Sequence, residues 1–566
     1  MQNRGSTGVE ALMSALSRAG IFILSAGMIQ SASADLVNPQ VESGMVQIMP
    51  VANGWVIVQG SQTAIVSYEQ FSLAELQMVD FQQPNATAAI LNRVTGNFPS
   101  NIDGQIFANG IVYLVNPAGI FIGPTGVVNV GQFYAAAGSI SDDDFKNGIN
   151  RFTGISGAVE NHGTIMGSRV ALVGNSIVNS GTIDVGDGGI MALVASTGEV
   201  TLSPTGPNNQ IVVQIDSGGA PTSATGVENS GLLKAGAGGQ IVLGAGDLYS
   251  VAIRNTSTGV IDAANATVAI QAKDMAGNLG AIENDGAIAA GDLTVEGATL
   301  TLTSGVNADT AMIDANVILE EDVTISGNGG DATSVTFAQA VNSAAGEANA
   351  LVVEAVDTTF TGGVGQAANG TLGGLTVTGN VEIADNVSSS GAIQLGDGSP
   401  GTTVNFTGAG AQTVLAGTVL DIDADVLKAV GNLVLQAQQL LLGGSSTTVS
   451  NGNLSLIAPT ISFDGGASQS ANASGLINAT GSVFKEVGDL LFQAQQVLIS
   501  GSTVSVGSDL NFAAQSTQFL NVTQQTVTSG GVVAFDGNVS KLLNSLLIEA
   551  HQILLGGSSV TINNGN

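Results

Sequence analysis

The side chains able to do chemistry are few in this 566-residue chain. Histidine occurs twice, at His162 and His551. His551 stands where two parallel phrases carry Gln438 and Gln495, and His162 lies in an Asn-turn phrase whose other copies have Ser or Asp. Both are expected at the surface, and a Ser-His-Asp relay is not supported. Carboxylates cluster at Asp142-Asp143-Asp144, at Glu320-Glu321-Asp322 and at Asp184/Asp187. Such groups serve glycan cleavage or calcium binding, but none has the spacing of a calcium loop. They are expected to be solvated turns. Cysteine is absent, which removes disulfides and thiolate metal ligands. The glycines punctuate corners and do not open helices, so no phosphate-binding loop is expected. The chain therefore reads as non-enzymatic, with no cofactor. Two other readings stand behind this one: a β-helical carbohydrate-active enzyme, and the stalk of a contact-dependent toxin whose effector lies outside this sequence.

The elements that must position these residues follow from composition. There are 78 Gly, and charged residues make up only 10% of a chain that is 44% hydrophobic, so solubility rests on Asn, Gln, Ser, Thr and Gly. That mixture suits short β-branched strands joined by Gly/Asn turns. Twelve Lys+Arg against 44 Asp+Glu leave a net charge of −32. A basic groove for nucleic acid cannot be built from so few cations. At the N-terminus Arg4 and Arg18 precede the apolar AGIFILSAGMIQ and then Ala32-Ser33-Ala34. This is the pattern of a signal peptide over 1–34, cleaved between Ala34 and Asp35.

Internal repeats decide the fold. KAVGNLVLQAQQLLLGGSS from Lys428, KEVGDLLFQAQQVLISGST from Lys485 and KLLNSLLIEAHQILLGGSS from Lys541 align at spacings of 485 − 428 = 57 and 541 − 485 = 56. A looser phrase recurs earlier, as VENHGTI (159–165), IVNSGTID (177–184), VENSGLL (227–233), IRNTSTGVID (253–262) and IENDGAI (282–288). Leu433, Leu435 and Ala437 alternate with Val434, Gln436 and Gln438, the period-2 mark of a strand. The apolar phase shifts after Gln439 to Leu440 and Leu442, as a corner requires. Coils of about 20–25 residues, stacked about 4.8 Å apart with Asn amides stacking at corners, account for both repeats. The expectation is an all-β, right-handed parallel β-helix. Gln436, Gln438, Gln493 and Gln495 form a candidate outward stripe for a glycan or a protein. Residues 291–425 read as irregular coils and 426–566 as the 57-residue repeats, broken off inside the third.

Residues 64–137 hold a more specific signal. SYEQFSL (67–73), FQQPNATAAILNRVTG (81–96), the Pro-Ser-x-Ile-x-Gly of 99–104, ANGIVYLVNPAGIFIG (108–123) and VNVGQF (128–133) occur in this order. The stretch resembles the N-terminal secretion domain of filamentous haemagglutinin-like exoproteins of two-partner secretion. The resemblance implies a domain over roughly 35–290, recognised unfolded by an outer-membrane transporter of the Omp85 type. It further implies folding on emergence and service as a surface adhesin or structural fibre, outside a Gram-negative-type cell reached via the periplasm. The family's Asn-Pro-Asn-Gly-Ile turn corresponds to Asn116, Pro117, Gly119 and Ile120, with Ala118 in place of the second Asn. The family's Asn-Pro-Asn-Leu motif has no clear counterpart.

Overall fold

Alternation of inward aliphatic and outward polar residues sets the architecture. In the computed structural model, which describes residues 35–204 and 210–563, strands occupy 59% of the chain and helix 1%. They wind into a parallel β-solenoid of about 23 turns. The expected signal peptide, including Ala34 of its cleavage site, lies outside the described residues. One coil shows the logic. Leu433–Gln436, Gln439–Leu442 and Ser446–Val449 pair in parallel with Leu454–Ile457, Thr460–Phe463 and Gln469–Ala473 of the next coil. Leu433 stands opposite Leu454, so a coil takes 454 − 433 = 21 residues. Leu433, Leu435, Leu440 and Leu442 are buried, whereas Gln436, Gln438 and Gln439 are exposed. The phase shift at the corner is as the sequence predicts.

One expectation is corrected by the same register. A 57-residue repeat spans 57/21, or about 2.7, coils. Successive repeats therefore land on different faces of the solenoid. Gln436 stacks against Ile457, while Gln493 stacks between Asn472 and Ala513 on another face. Gln438 and Gln495 fall at different corners for the same reason. All four glutamines are exposed, but they do not line up as one stripe.

A continuous apolar column fills the interior from Leu36 to Val539. Aromatic rings stack in it where coils repeat: Phe512 lies 5.5 Å from Phe492 and 5.0 Å from Phe535, both near parallel. Among the described residues, antiparallel strands occur only before residue 217. Val46–Val51 pairs with Gly54–Gln59, Leu36–Val37 pairs with Gln70–Phe71, and Gln40–Ser43 pairs with Thr63–Tyr68. Outside the coils, Asn150–Phe152, Glu199–Pro204 and Ile211–Asp216 form a three-stranded sheet. That sheet and the short helix Asp142–Lys146 lie over a second apolar cluster containing Tyr113, Tyr134, Phe145, Phe152, Val200 and Ile215. Among the described residues, no helix is long and apolar enough to cross a membrane.

Candidate export and folding site

The Asn-Pro corner is built by the strands on either side of it. Ile111–Val115 lies between Ala89–Val94 and Gln132–Ala136, and Ile120–Ile122 between Ser100–Ile102 and Ala158–Asn161. Asn116 links them and is wholly buried. Its backbone N–H donates to the Ala136 carbonyl at 2.9 Å. Its Oδ1 accepts from the Ala118 N–H at 3.0 Å, and its Nδ2 donates to the Phe98 carbonyl and to Ser100 Oγ, each at 3.0 Å. Gly119 N–H returns to the Asn116 carbonyl at 2.9 Å, closing the turn around the exposed Pro117. A proline at the second turn position pre-sets the backbone for this bend.

Gly119 has φ 116°, a conformation that L side chains rarely adopt. The next coil presses close here: a Cβ on Gly157 would lie 2.6 Å from the Gly119 nitrogen, and Ser156 Oγ donates to the Pro117 carbonyl at 2.8 Å. Ile120 points into the core. Ala118 is exposed and gives the turn only its N–H, so this departure from the family pattern leaves the corner intact. The four matching residues thus form a hydrogen-bonded joint between neighbouring coils. The joint offers no nucleophile and no acid or base.

The Asn-turn phrases converge on a single column. Nδ2 of Asn161 donates to Oδ1 of Asn179 at 2.8 Å, Asn179 to Asn229 at 2.8 Å, Asn229 to Asn255 at 2.8 Å and Asn255 to Asn284 at 2.9 Å. All five are buried. Each amide satisfies the one beside it, which a buried carboxamide requires. This is the corner stacking the phrases predict.

Of the possible reactive groups, one set was missed by sequence reading. His162 Nδ1 lies 2.5 Å from Ser180 Oγ, its Nε2 lies 3.3 Å from Glu160 Oε2, and its ring packs against Phe121. The signal was available, since His162 follows Asn161 as Ser180 follows Asn179. The backbone N–H groups of Ser180 and Gly181 both donate to the Asn161 carbonyl, at 2.8 and 3.1 Å. Neither is left to stabilise an oxyanion beside the hydroxyl. His551 is exposed at a corner.

The carboxylates serve turns. Asp142, Asp143 and Asp144 form the first turn of the short helix, and Ser141 Oγ caps it by accepting the Asp144 N–H at 3.0 Å. Hydrogen bonds from Ser141 and then Arg151 hold the Asp144 carboxyl below its ordinary range. Asp142 pairs with Arg93 at 2.7 Å. Asp184 accepts the Gly186 N–H, Asp187 the Ala237 N–H and Asp322 the Ala350 N–H, at 2.9, 3.0 and 2.8 Å. Among the described residues, no three His, Asp or Glu gather to hold a metal ion.

Residues 34–260 match the TPS secretion domain family. Two heme/hemopexin-binding proteins of Haemophilus influenzae are similar to parts of the chain. One is 30% identical over 206 residues, covering 34% of this chain and 22% of the relative. The other is 39% identical over 84 residues, covering 15% of this chain and 9% of the relative. The chain thus spans about a fifth or less of the length of these relatives. A solved structure, the HMW1 secretion domain from Haemophilus influenzae, aligns at 21% identity and a TM-score of 0.39 over 69% of this chain and 100% of that one. Over residues 34–260 the chain is thus similar to the secretion domain of two-partner secretion exoproteins.

Proposed function

We propose that this chain is a non-enzymatic exoprotein exported through an Omp85-type outer-membrane transporter and acting at the cell surface as an adhesin or structural fibre. The TPS match over 34–260 is the observation that carries this reading. The export domain extends to about residue 290. Support for that boundary comes from the Asn column, whose last amide pair is Asn255–Asn284, and from the confinement of the antiparallel strands to residues before 217. The Asn116–Ile120 corner serves folding of the emerging chain, because its hydrogen bonds join coils that are separate in sequence.

The distal coils supply the contact surface for a glycan or protein receptor. Its chemistry is one-sided. From residue 274 onward the only Lys or Arg residues are Lys428, Lys485 and Lys541, and all three are buried. Carboxylates, amides and hydroxyls are therefore what a partner meets there. Residues 35–290 fused ahead of a Cys-free passenger test the export half of the proposal. The passenger is expected in the medium when the chain's transporter is co-produced, and in the periplasm when it is not. Retention in both cases would contradict it. Purified 291–566 added to host cells tests the other half: saturable binding is expected, and none would remove the adhesin role.

A further inference from the structure

The three buried lysines share one geometry. Lys428, Lys485 and Lys541 are 1%, 2% and 0% exposed and occupy inward strand positions otherwise filled by aliphatic or aromatic residues. Lys428, for example, stacks on Phe406 and under Val449. Sixteen residues before each lysine stands a buried glutamine: Gln412, Gln469 and Gln525. Lys428 Nζ donates to Gln412 Oε1 at 2.6 Å and to the Gly408 carbonyl at 2.8 Å. Lys485 Nζ donates to Gln469 Oε1 at 2.7 Å and to the Gly465 carbonyl at 2.9 Å. Lys541 Nζ donates to the Asn521 carbonyl, whose N–H bonds Gln525 Oε1 at 3.2 Å. In each case the lysine's carbonyl partner lies 20 residues back.

The glutamines reach further down. Gln412 Nε2 donates to the carbonyls of Ile383 and Asp385, Gln469 to those of Leu442 and Gly444, and Gln525 to those of Ile499 and Gly501. Each Lys–Gln unit thus ties three stacked levels of one corner. Burial lowers all three lysine pKa values, so holding these amines inside has an unfavourable component. An amine beside a carboxamide could in principle displace ammonia. Neither lysine that touches its glutamine has a carboxyl hydrogen-bonded to it to protonate that leaving group.

We propose that these Lys–Gln units fix the register in which coils stack. An aliphatic column alone is degenerate. Val449 could fill the level above Phe406 as well as an aliphatic residue at 428 could, and the chain would skip a coil. With the unit present, only Lys428 meets Gly408 and Gln412, and any skipped register strands a buried amine and a buried amide. Buried polar groups can select one register at some cost in stability. Because a repeat spans about 2.7 coils, the three units sit at three different corners and pin the solenoid from three sides.

Cysteine pairs read register directly, since the chain has no Cys and neighbouring coils lie within disulfide reach. Asn405 and Leu427 are native neighbours, and Leu427 in turn neighbours Thr448. The variant Asn405→Cys/Leu427→Cys reports the native register, and Asn405→Cys/Thr448→Cys reports the skipped one. In the otherwise unchanged chain the native pair closes and the skipped pair does not. In chains that also carry Gln412→Leu/Lys428→Met, the skipped pair is expected to close in a measurable fraction while β-structure by circular dichroism is retained. Failure of the skipped pair to close there would overturn the proposal. Loss of β-structure in that variant would overturn it equally, by making the unit a source of stability rather than of register.

Discussion

At the scale of the residue, Asn116 carries more of the export-domain corner than its neighbours. Replacing it with Ala leaves the Phe98 carbonyl, Ser100 Oγ and the Ala118 N–H short of a partner. Asn116→Ala is expected to cost about 1–3 kcal/mol, read as a lower urea midpoint of residues 35–290. Ala118→Asn, at an exposed position, should change the stability read from that midpoint by less than about 0.5 kcal/mol. A second residue-scale effect concerns Asp421, which lies between Gln394 and Leu441 on an outward face. Burial, then the nearby Asp423 and Asp464 carboxylates, pushes its pKa up from 3.8 to about 6. The folded state therefore holds a proton that the unfolded chain releases. The stabilisation is complete below the unfolded value and is lost as pH rises through about 6. Moving from neutral pH to about 5 should raise the thermal midpoint of the native chain more than that of Asp421→Asn. Equal shifts would show that Asp421 does not couple protonation to folding.

At the scale of the element, the sequence made the strands legible and part of the site with them. Leu433, Leu435, Leu440 and Leu442 revealed both strand and corner because inward and outward positions alternate strictly. The Asn column was equally legible, since each phrase repeats its Asn before a turn. The glutamine stripe was misread for a geometric reason: repeat length and coil length are incommensurate, and only the register reveals the second. The lysines were hidden by chemistry. A Lys heading a repeat reads as a surface residue, and only its fixed 16-residue distance from Gln412, Gln469 and Gln525 could have flagged it. In the Asn column, Asn229→Ala removes the middle link and leaves Asn179 Nδ2 without its acceptor and Asn255 Oδ1 without its donor. The expected cost is about 1–3 kcal/mol, with hydrogen-exchange protection falling first in the coils around residue 229. Protection unchanged there would mean that the column is not a source of local stability.

At the scale of the whole molecule, one architecture serves two tasks. The N-terminal coils carry the covering sheet, the asparagine column and the Asn-Pro corner, while the distal coils present no exposed Lys or Arg beyond residue 273. Such a surface repels other anionic surfaces, and the repulsion is screened by salt. Lateral association of residues 291–566 should therefore increase with added salt in light scattering, and a decrease would show that attractive ion pairs hold the rods together. The account rests most heavily on export. Its most direct test compares secretion of the full chain with that of a chain lacking residues 35–137, each with and without the partner transporter. The account predicts the full chain in the medium only when the transporter is present, and no secretion of the deleted chain. Equal secretion of the two chains would contradict it.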